Sequence, residues 1–285
     1  MSCKFCGTQL VSVRNIKEYL LCKKCETYSR SSGDAQSIMV NENLKGSLKS
    51  DRLTRELLGI IKARLETSKS KLIDFGCGGG RFLLLAKPSF KGVAGVEITP
   101  ASISVARSNG LEIFSEIQRE GFDVITFWHS LEHLPYETLI KVLDELKLSG
   151  IDMVVLSVPN SNSITLKYFG DYDAFVDASN HTFIFSKSLL EKIFLEHGFQ
   201  LTASPRINSY TLFGSIQSTI NYFTQTKNQI YFILKRGGSI KSLRIIRHII
   251  LSPIFLPLIL LVLIIVSLRK NRDSTINLCF ERISK

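Results

Sequence analysis

Positions 71–83 read KLIDFGCGGGRFL, an apolar strand-like run that enters a glycine-rich turn and leaves on a helix-forming segment. Gly76, Gly78, Gly79 and Gly80 let the backbone turn tightly and let a ligand approach it closely. The helix that follows offers free N–H groups to an anionic group. Glu97 lies 21 residues beyond Gly76, at the end of the next strand-like run. A carboxylate there can accept hydrogen bonds from both hydroxyls of a ribose. The spacing departs from a dinucleotide fingerprint. Counted from Gly76 the sixth position is Arg81, and counted from Gly78 it is Leu83. Asp74 also stands inside the strand just ahead of the turn, which a dinucleotide site does not require. These differences favour another nucleoside ligand.

The rest of the middle region supports an open α/β sheet. Strands are predicted at 71–75, 93–97, 111–114, 123–128, 152–157 and 199–203, and helices near 51–66, 80–87, 100–109, 137–149 and 187–197. Thr99 followed by Pro100 suits a helix start. Gly110 and Gly198 suit helix ends. Strands alternating with helices of this length imply a parallel sheet covered on both faces. Residues 275–281, TINLCFE, alternate like one further strand.

The motifs of 50–206, in order, resemble the class I S-adenosylmethionine-dependent methyltransferases. IDFGCGGGRFL looks like their first motif and GVAGVEIT like their second. FDVITFWHSLEHLP resembles the fourth-strand motif of the subgroup that includes ubiquinone-type and sugar methyltransferases. LSVPN and NHTFIFS, followed by a helix and HGF, are similar to later landmarks of that subgroup. The resemblance implies a Rossmann-like, seven-stranded methyltransferase sheet with helices on both faces and 275–281 as its final antiparallel strand. It implies that Asp74 and the backbone of Gly76, Cys77 and Gly78 hold the methionine end of S-adenosylmethionine. Glu97 is then expected to hold the ribose and Ile98 to pack on the adenine. His129 and Ser130 would lie beside the methionine portion. A turn-forming role alone is the alternative for each glycine, and a solvated strand-end acid is the alternative for Glu97.

Cys3, Cys6, Cys22 and Cys25 form C-x2-C, fifteen residues, C-x2-C, the spacing of a four-thiolate zinc site. About thirty residues bury too little apolar surface to fold unaided, so the metal would supply folding energy. Four thiolates close the coordination sphere, so a structural zinc ribbon is expected. A redox pair is the alternative. Some sugar C-methyltransferases of the same subgroup also carry an N-terminal zinc-binding module. Cys77 and Cys279 stand apart and read as small buried residues. The expected organisation is a zinc module over 1–30, a polar linker over 31–49 and the S-adenosylmethionine-binding domain over 50–206. A hydrophobic insertion over 207–272 and a terminal strand region over 273–285 complete it.

Transfer of a methyl group needs a base only where the nucleophile must lose a proton. Glu132, His133 and His181 are the candidate catalytic residues. His133 follows the fourth sheet strand, at the edge where open α/β sites lie. His181 sits in DYDAFVDASNHTF, a stretch suited to lining or covering a pocket. A capping role for Glu132 and His133 and a structural role for His181 are the alternatives.

Charge places the surroundings. The chain is +11 overall, but residues 1–45 carry +3, 46–206 carry −1 and 207–285 carry +9. A neutral middle argues against a nucleic-acid substrate. A basic tail beside an apolar run suits an anionic membrane surface. That run is 249–268, twenty uncharged residues between Lys241, Arg244, Arg247 and Arg269, Lys270, Arg272. A span would put one basic cluster and the final strand across the membrane, against the positive-inside tendency. Pro253 and Pro257 can break the helix. A monotopic segment on the cytoplasmic face, with 241–272 meeting anionic lipid, is therefore expected. A true span and a buried or oligomer-forming helix are the alternatives. The first residues, MSCKFCGTQL, lack an apolar signal region, so a reducing compartment is expected. The expected acceptor is a small molecule or a lipid-linked one: a glycan intermediate, a sugar or a quinol. A nucleic-acid or protein methyltransferase with the zinc module as reader, and a non-catalytic scaffold, are the competing classes.

Overall fold

The computed structural model describes residues 1–31, 52–118, 120–225, 227–228, 256–268 and 272–283. The linker region 32–51 lies outside them, as do 229–255 and 269–271. These segments include the expected basic clusters apart from Arg272, and the first part of the apolar run.

The central element is a seven-stranded sheet. Its strands are β4 (Lys71–Phe75), β5 (Gly92–Val96), β6 (Glu112–Phe114), β7 (Val124–Trp128), β8 (Met153–Pro159), β10 (Phe199–Ala203) and β11 (Thr275–Arg282). They lie in the order β10-β11-β8-β7-β4-β5-β6. The run β8-β7-β4-β5-β6 is parallel, and β11 enters antiparallel between β8 and β10. Every residue of β8 is buried, which explains its near-continuous apolar run, MVVLSVP, rather than an alternating one.

Helices α1 (Arg52–Lys62), α2 (Arg81–Ala86), α3 (Pro100–Ser108), α4 (Tyr136–Leu148) and α6 (Lys187–Glu196) match the predicted segments to within a few residues. α1 stops earlier than its apolar spacing suggested, and a short 3-10 turn at Thr67–Lys69 leads into β4. Two core layers flank the sheet. One gathers Ile125, Phe127, Leu139, Leu143, Phe194 and Phe280, the other Leu57, Ile61, Leu72, Leu83 and Ala106. Cys77 and Cys279 are buried in the second layer.

A second sheet joins the N-terminal residues to the large domain. Its strands are β1 (Val11–Val13), β2 (Ile16–Cys22), β3 (Thr27–Arg30) and β9 (Phe183–Ile184), in that order and all antiparallel. Tyr28 pairs with Ile184 and Ser29 with Phe183. Ile16, Tyr19, Leu166 and Ile184 form a shared apolar cluster beneath it. Phe5 packs edge-on against Tyr136 and Phe183. The first thirty residues are therefore built into the domain through a strand that the sequence alone did not reveal.

Three helices complete the described chain: α5 (Ile164–Phe169), α7 (Asn208–Thr224) and α8 (Leu256–Leu268). α7 packs against α1, α5 and α8. α8 turns Ile259, Val262 and Val266 inward and exposes Leu260, Leu261, Ile264, Ile265 and Leu268. Arg206 donates to the Val266 carbonyl near the C-terminus of α8 and pairs with Asp273 at 2.6 Å. The thirteen described residues of α8 measure about 20 Å. No helix among the described residues is long and apolar enough to cross a membrane.

Candidate active site

The glycine turn sits at the carboxyl end of β4, in the middle of the large sheet. Gly76, Gly78 and Gly80 all have positive φ, at 71°, 55° and 83°. A side chain on Gly76 would meet Ser130 Cβ at 2.8 Å, so the turn and the end of β7 lie against each other. A side chain on Gly80 would strike Leu111 at 2.2 Å. The Cys77 thiol fills the space over Gly95.

The turn's amide hydrogens are engaged within the chain. Gly76 and Cys77 both donate to the Val96 carbonyl, at 2.8 and 3.2 Å. Gly78 donates to Glu97 Oε2 at 3.0 Å. Glu97 Oε1 accepts from the amides of Ile98 and Thr99, both at 2.8 Å. Glu97 thus clamps the turn to the start of α3. Thr99 holds the expected cap position, with Pro100 as the first helical residue, but its hydroxyl makes no capping bond. Ile98 is 76% exposed, an apolar side chain held out beside the turn.

Asp74 is buried in β4 and accepts from Thr126 Oγ1 at 2.6 Å. Burial pushes its carboxyl up to about 7, the Glu97 charge adds to this, and the Thr126 bond opposes it. Thr126 and Asp74 face each other because β4 and β7 are parallel neighbours in register.

At the end of β7 the chain forms a short 3-10 turn, Leu131–His133. His129 takes a left-handed conformation there, φ 53°, rare for a residue with a side chain. Its Nδ1 lies 3.0 Å from Glu132 Oε1, and its ring stacks on Phe175 and meets Tyr210 edge-on. Glu132 is fully buried. Burial works against its negative charge, but the His129 bond and the nearby imidazoles outweigh it and hold the carboxyl below its ordinary value. His133 and His181 lie with ring centres 4.7 Å apart. Burial pulls His181 down to about 4, so its ring is neutral near pH 7.

The structure gathers the three residues named as catalytic candidates, although His181 is 48 positions from His133. The loop is drawn in by Thr182, whose amide donates to the Glu132 carbonyl at 2.7 Å. The N-terminal residues help, since Tyr19 Oη donates to the His181 carbonyl at 3.0 Å. Phe175 and Asn180 lie in the stretch expected to line the pocket, whereas Tyr19, Thr126 and Tyr210 are members of this region that sequence reasoning missed. Thr126 pairs directly with Asp74 across β4 and β7, and its hydroxyl inside the otherwise apolar run VITFW was the one usable signal. The others arrive from elements with no local mark of the site.

Nine buried side-chain atoms lack a hydrogen-bond partner among the described residues, and six of them lie here. They are Trp128 Nε1, His129 Nε2, Ser130 Oγ, Glu132 Oε2, Asn180 Oδ1 and His181 Nδ1. Such atoms are costly unless something else satisfies them. Their concentration at the carboxyl edge of the sheet, beside the glycine turn, marks a ligand site.

A family model described as a methyltransferase domain matches residues 47–204. The chain belongs to the methyltransferase-domain family. Curated relatives include a ubiquinone biosynthesis O-methyltransferase of Xanthomonas oryzae pv. oryzae, 32% identical over 98 residues. That match covers 29% of this chain and 40% of the relative. The enzyme of the same description from Hahella chejuensis is 33% identical over 93 residues, covering 27% and 38%. The chain thus spans about two-fifths of the length of the curated relatives it matches. Among solved structures, the [4+2]-cyclase SpnF aligns with a TM-score of 0.50 and 13% identity, covering 81% of each chain. That likeness concerns the fold alone.

The four N-terminal cysteines also converge. Their Sγ atoms all lie within 4.8 Å of one another, and Cys6 Sγ is 3.5 Å from Cys22 Sγ. Four sulfurs at about 2.3 Å from one tetrahedral metal would be roughly 3.8 Å apart. The Cys25 amide points at Cys22 Sγ, 3.4 Å away, as it would toward a thiolate. The donor set fits a four-thiolate metal.

Proposed function

We propose that this protein methylates a small-molecule or lipid-linked acceptor, such as a glycan intermediate, a sugar or a quinol, at the cytoplasmic face of a membrane. The observation that carries the reading is the group of unpartnered buried polar atoms beside the glycine turn. It is an apolar-walled edge with a few convergent polar groups, the usual form of a small-molecule site. The relatives described as ubiquinone biosynthesis O-methyltransferases make a hydroxyl acceptor the favoured kind.

When bound, S-adenosylmethionine supplies a sulfonium methyl group for in-line displacement. Asp74 would face its ammonium group, and the turn at Gly76, Cys77 and Gly78 would present carbonyl oxygens there, because its amides are already engaged. Glu97 would take the ribose hydroxyls on lone pairs not used by the backbone. Ile98 would cover the adenine, and His129 and Ser130 would flank the methionine portion. Glu132 and His181 are in the states that suit a proton acceptor, one anionic and one neutral. Either can take an acceptor proton directly or through His129 or His133. Phe175 and Tyr210, packed on His129, exclude water from that side.

Cys3, Cys6, Cys22 and Cys25 would hold zinc, which supplies folding energy to β1–β3 and takes no part in methyl transfer. The exposed face of α8 supports membrane association. Five large apolar side chains on one helix face, in a region of net charge +9, suit the interface of an anionic bilayer.

The test is calorimetric titration with S-adenosylmethionine, then turnover to S-adenosylhomocysteine with lipid and aqueous extracts as acceptor sources. Turnover with the lipid extract is expected. Absence of cofactor binding by folded protein, with Glu97→Ala behaving as wild type, would overturn the assignment.

A further inference from the structure

Three ligating atoms at the candidate acceptor site remain to be explained together. Glu132 has one oxygen on His129 and the other, Oε2, buried without a partner. His181 is also buried, with Nδ1 unpartnered. His133 Nδ1 lies 3.1 Å from the Asn180 carbonyl oxygen. A carbonyl can only accept, so this contact places the ring proton on Nδ1 and leaves the lone pair on Nε2. Each of the three side chains offers one ligand atom, and these atoms lie within 4.8 Å of one another.

A general base alone accounts poorly for this set. One imidazole would suffice for that task, and the second imidazole and the orphaned carboxylate oxygen would stay unsatisfied. A cation satisfies all three at once. The surroundings also resemble the outer shell of a metal site, where each ligand is oriented by a second bond. His133 is fixed through Asn180, Glu132 through His129, and His181 through its backbone, between the Asp177 carbonyl and Tyr19 Oη.

We propose that Glu132, His133 and His181 bind one divalent transition-metal cation, leaving coordination positions open toward the acceptor. Two imidazoles and one carboxylate suit manganese, iron, cobalt or zinc rather than calcium or magnesium. Three protein ligands with open positions are the pattern of catalytic rather than structural sites. A hydroxyl bound there becomes more acidic and can release its proton to solvent, which replaces proton abstraction by Glu132 or His181, whose lone pairs the cation takes. This role rests on the proposed methyl transfer; the binding of the cation does not.

The test uses full-length purified protein and Mn2+, which has little affinity for the four-thiolate cluster. Free Mn2+ is followed by electron paramagnetic resonance, and S-adenosylmethionine binding is measured separately by calorimetry. One Mn2+ per chain is expected. Glu132→Gln and His181→Ala should each weaken it by at least roughly tenfold. His133→Ala, at a more accessible position, should do the same and guards against variants that fail to fold. Folded wild-type protein that takes up no Mn2+ would overturn the proposal, as would uptake unchanged in folded variants at all three positions. Mn2+ binding without cofactor binding would refute the methyltransferase reading and leave the cation site standing.

Discussion

Asp74 gives the most quantitative test of the site's electrostatics. Its carboxyl is 3% exposed, has Thr126 as a partner, and is pushed from 3.8 to about 7. Between those values the folded protein holds a proton that the unfolded chain has released. Unfolding free energy therefore falls as pH rises through this window, by ~1.4 kcal/mol per unit at most. The whole interval is worth about 4 kcal/mol, of which roughly 1.4 kcal/mol falls between pH 6 and pH 8. Asp74→Asn keeps an acceptor for Thr126 and removes the titration. Asp173, pushed up to about 6, acts in the same direction, and His181 acts oppositely, but both are common to the two proteins and cancel. The assay is urea unfolding of cofactor-free protein at pH 6, 7 and 8, read by the fluorescence of Trp128, the single tryptophan. The variant should gain about 1.4 kcal/mol on wild type between pH 6 and pH 8. A difference that stays constant over that range would refute the protonated, buried carboxyl.

Three further outcomes are expected. Gly80→Ala combines a φ of 83° with a 2.2 Å approach to Leu111, and should lower stability by about 2–4 kcal/mol in the same assay. Removing metal from the cysteine cluster with a chelator should abolish amide hydrogen-exchange protection at Phe183 and Ile184, because β9 pairs with β3. Unchanged protection would show that the sheet stands without metal. Leu261→Asp with Ile264→Asp should reduce binding to anionic vesicles at least tenfold and leave S-adenosylmethionine affinity unchanged, as measured by sedimentation and calorimetry.

The large sheet was legible because its strands carry their burial on their face. β4, β7 and β8 are apolar runs bounded by turns, and the glycine turn fixes where the ligand edge lies. β11 was legible from alternation although 71 residues separate its start from the end of β10. The elements that escaped lack such marks. β9 is two residues long and exists only because β3 lies beside it. α7 buries Thr211, Ser215, Ser218 and Asn221, so its inward face is polar and shows no apolar period. At the site, His133 and His181 could be named but not paired, since their meeting depends on Thr182 and Tyr19. The full burial of Glu132 contradicts its residue type and is set by tertiary packing alone.

The pairing of β3 with β9 has a consequence for the ribosome. A nascent chain displays the outer edge of β3 long before Phe183 and Ile184 emerge. At 5–20 residues per second that delay is roughly ten to thirty seconds. Through it, an unsatisfied row of peptide groups invites neighbouring nascent chains to add a strand.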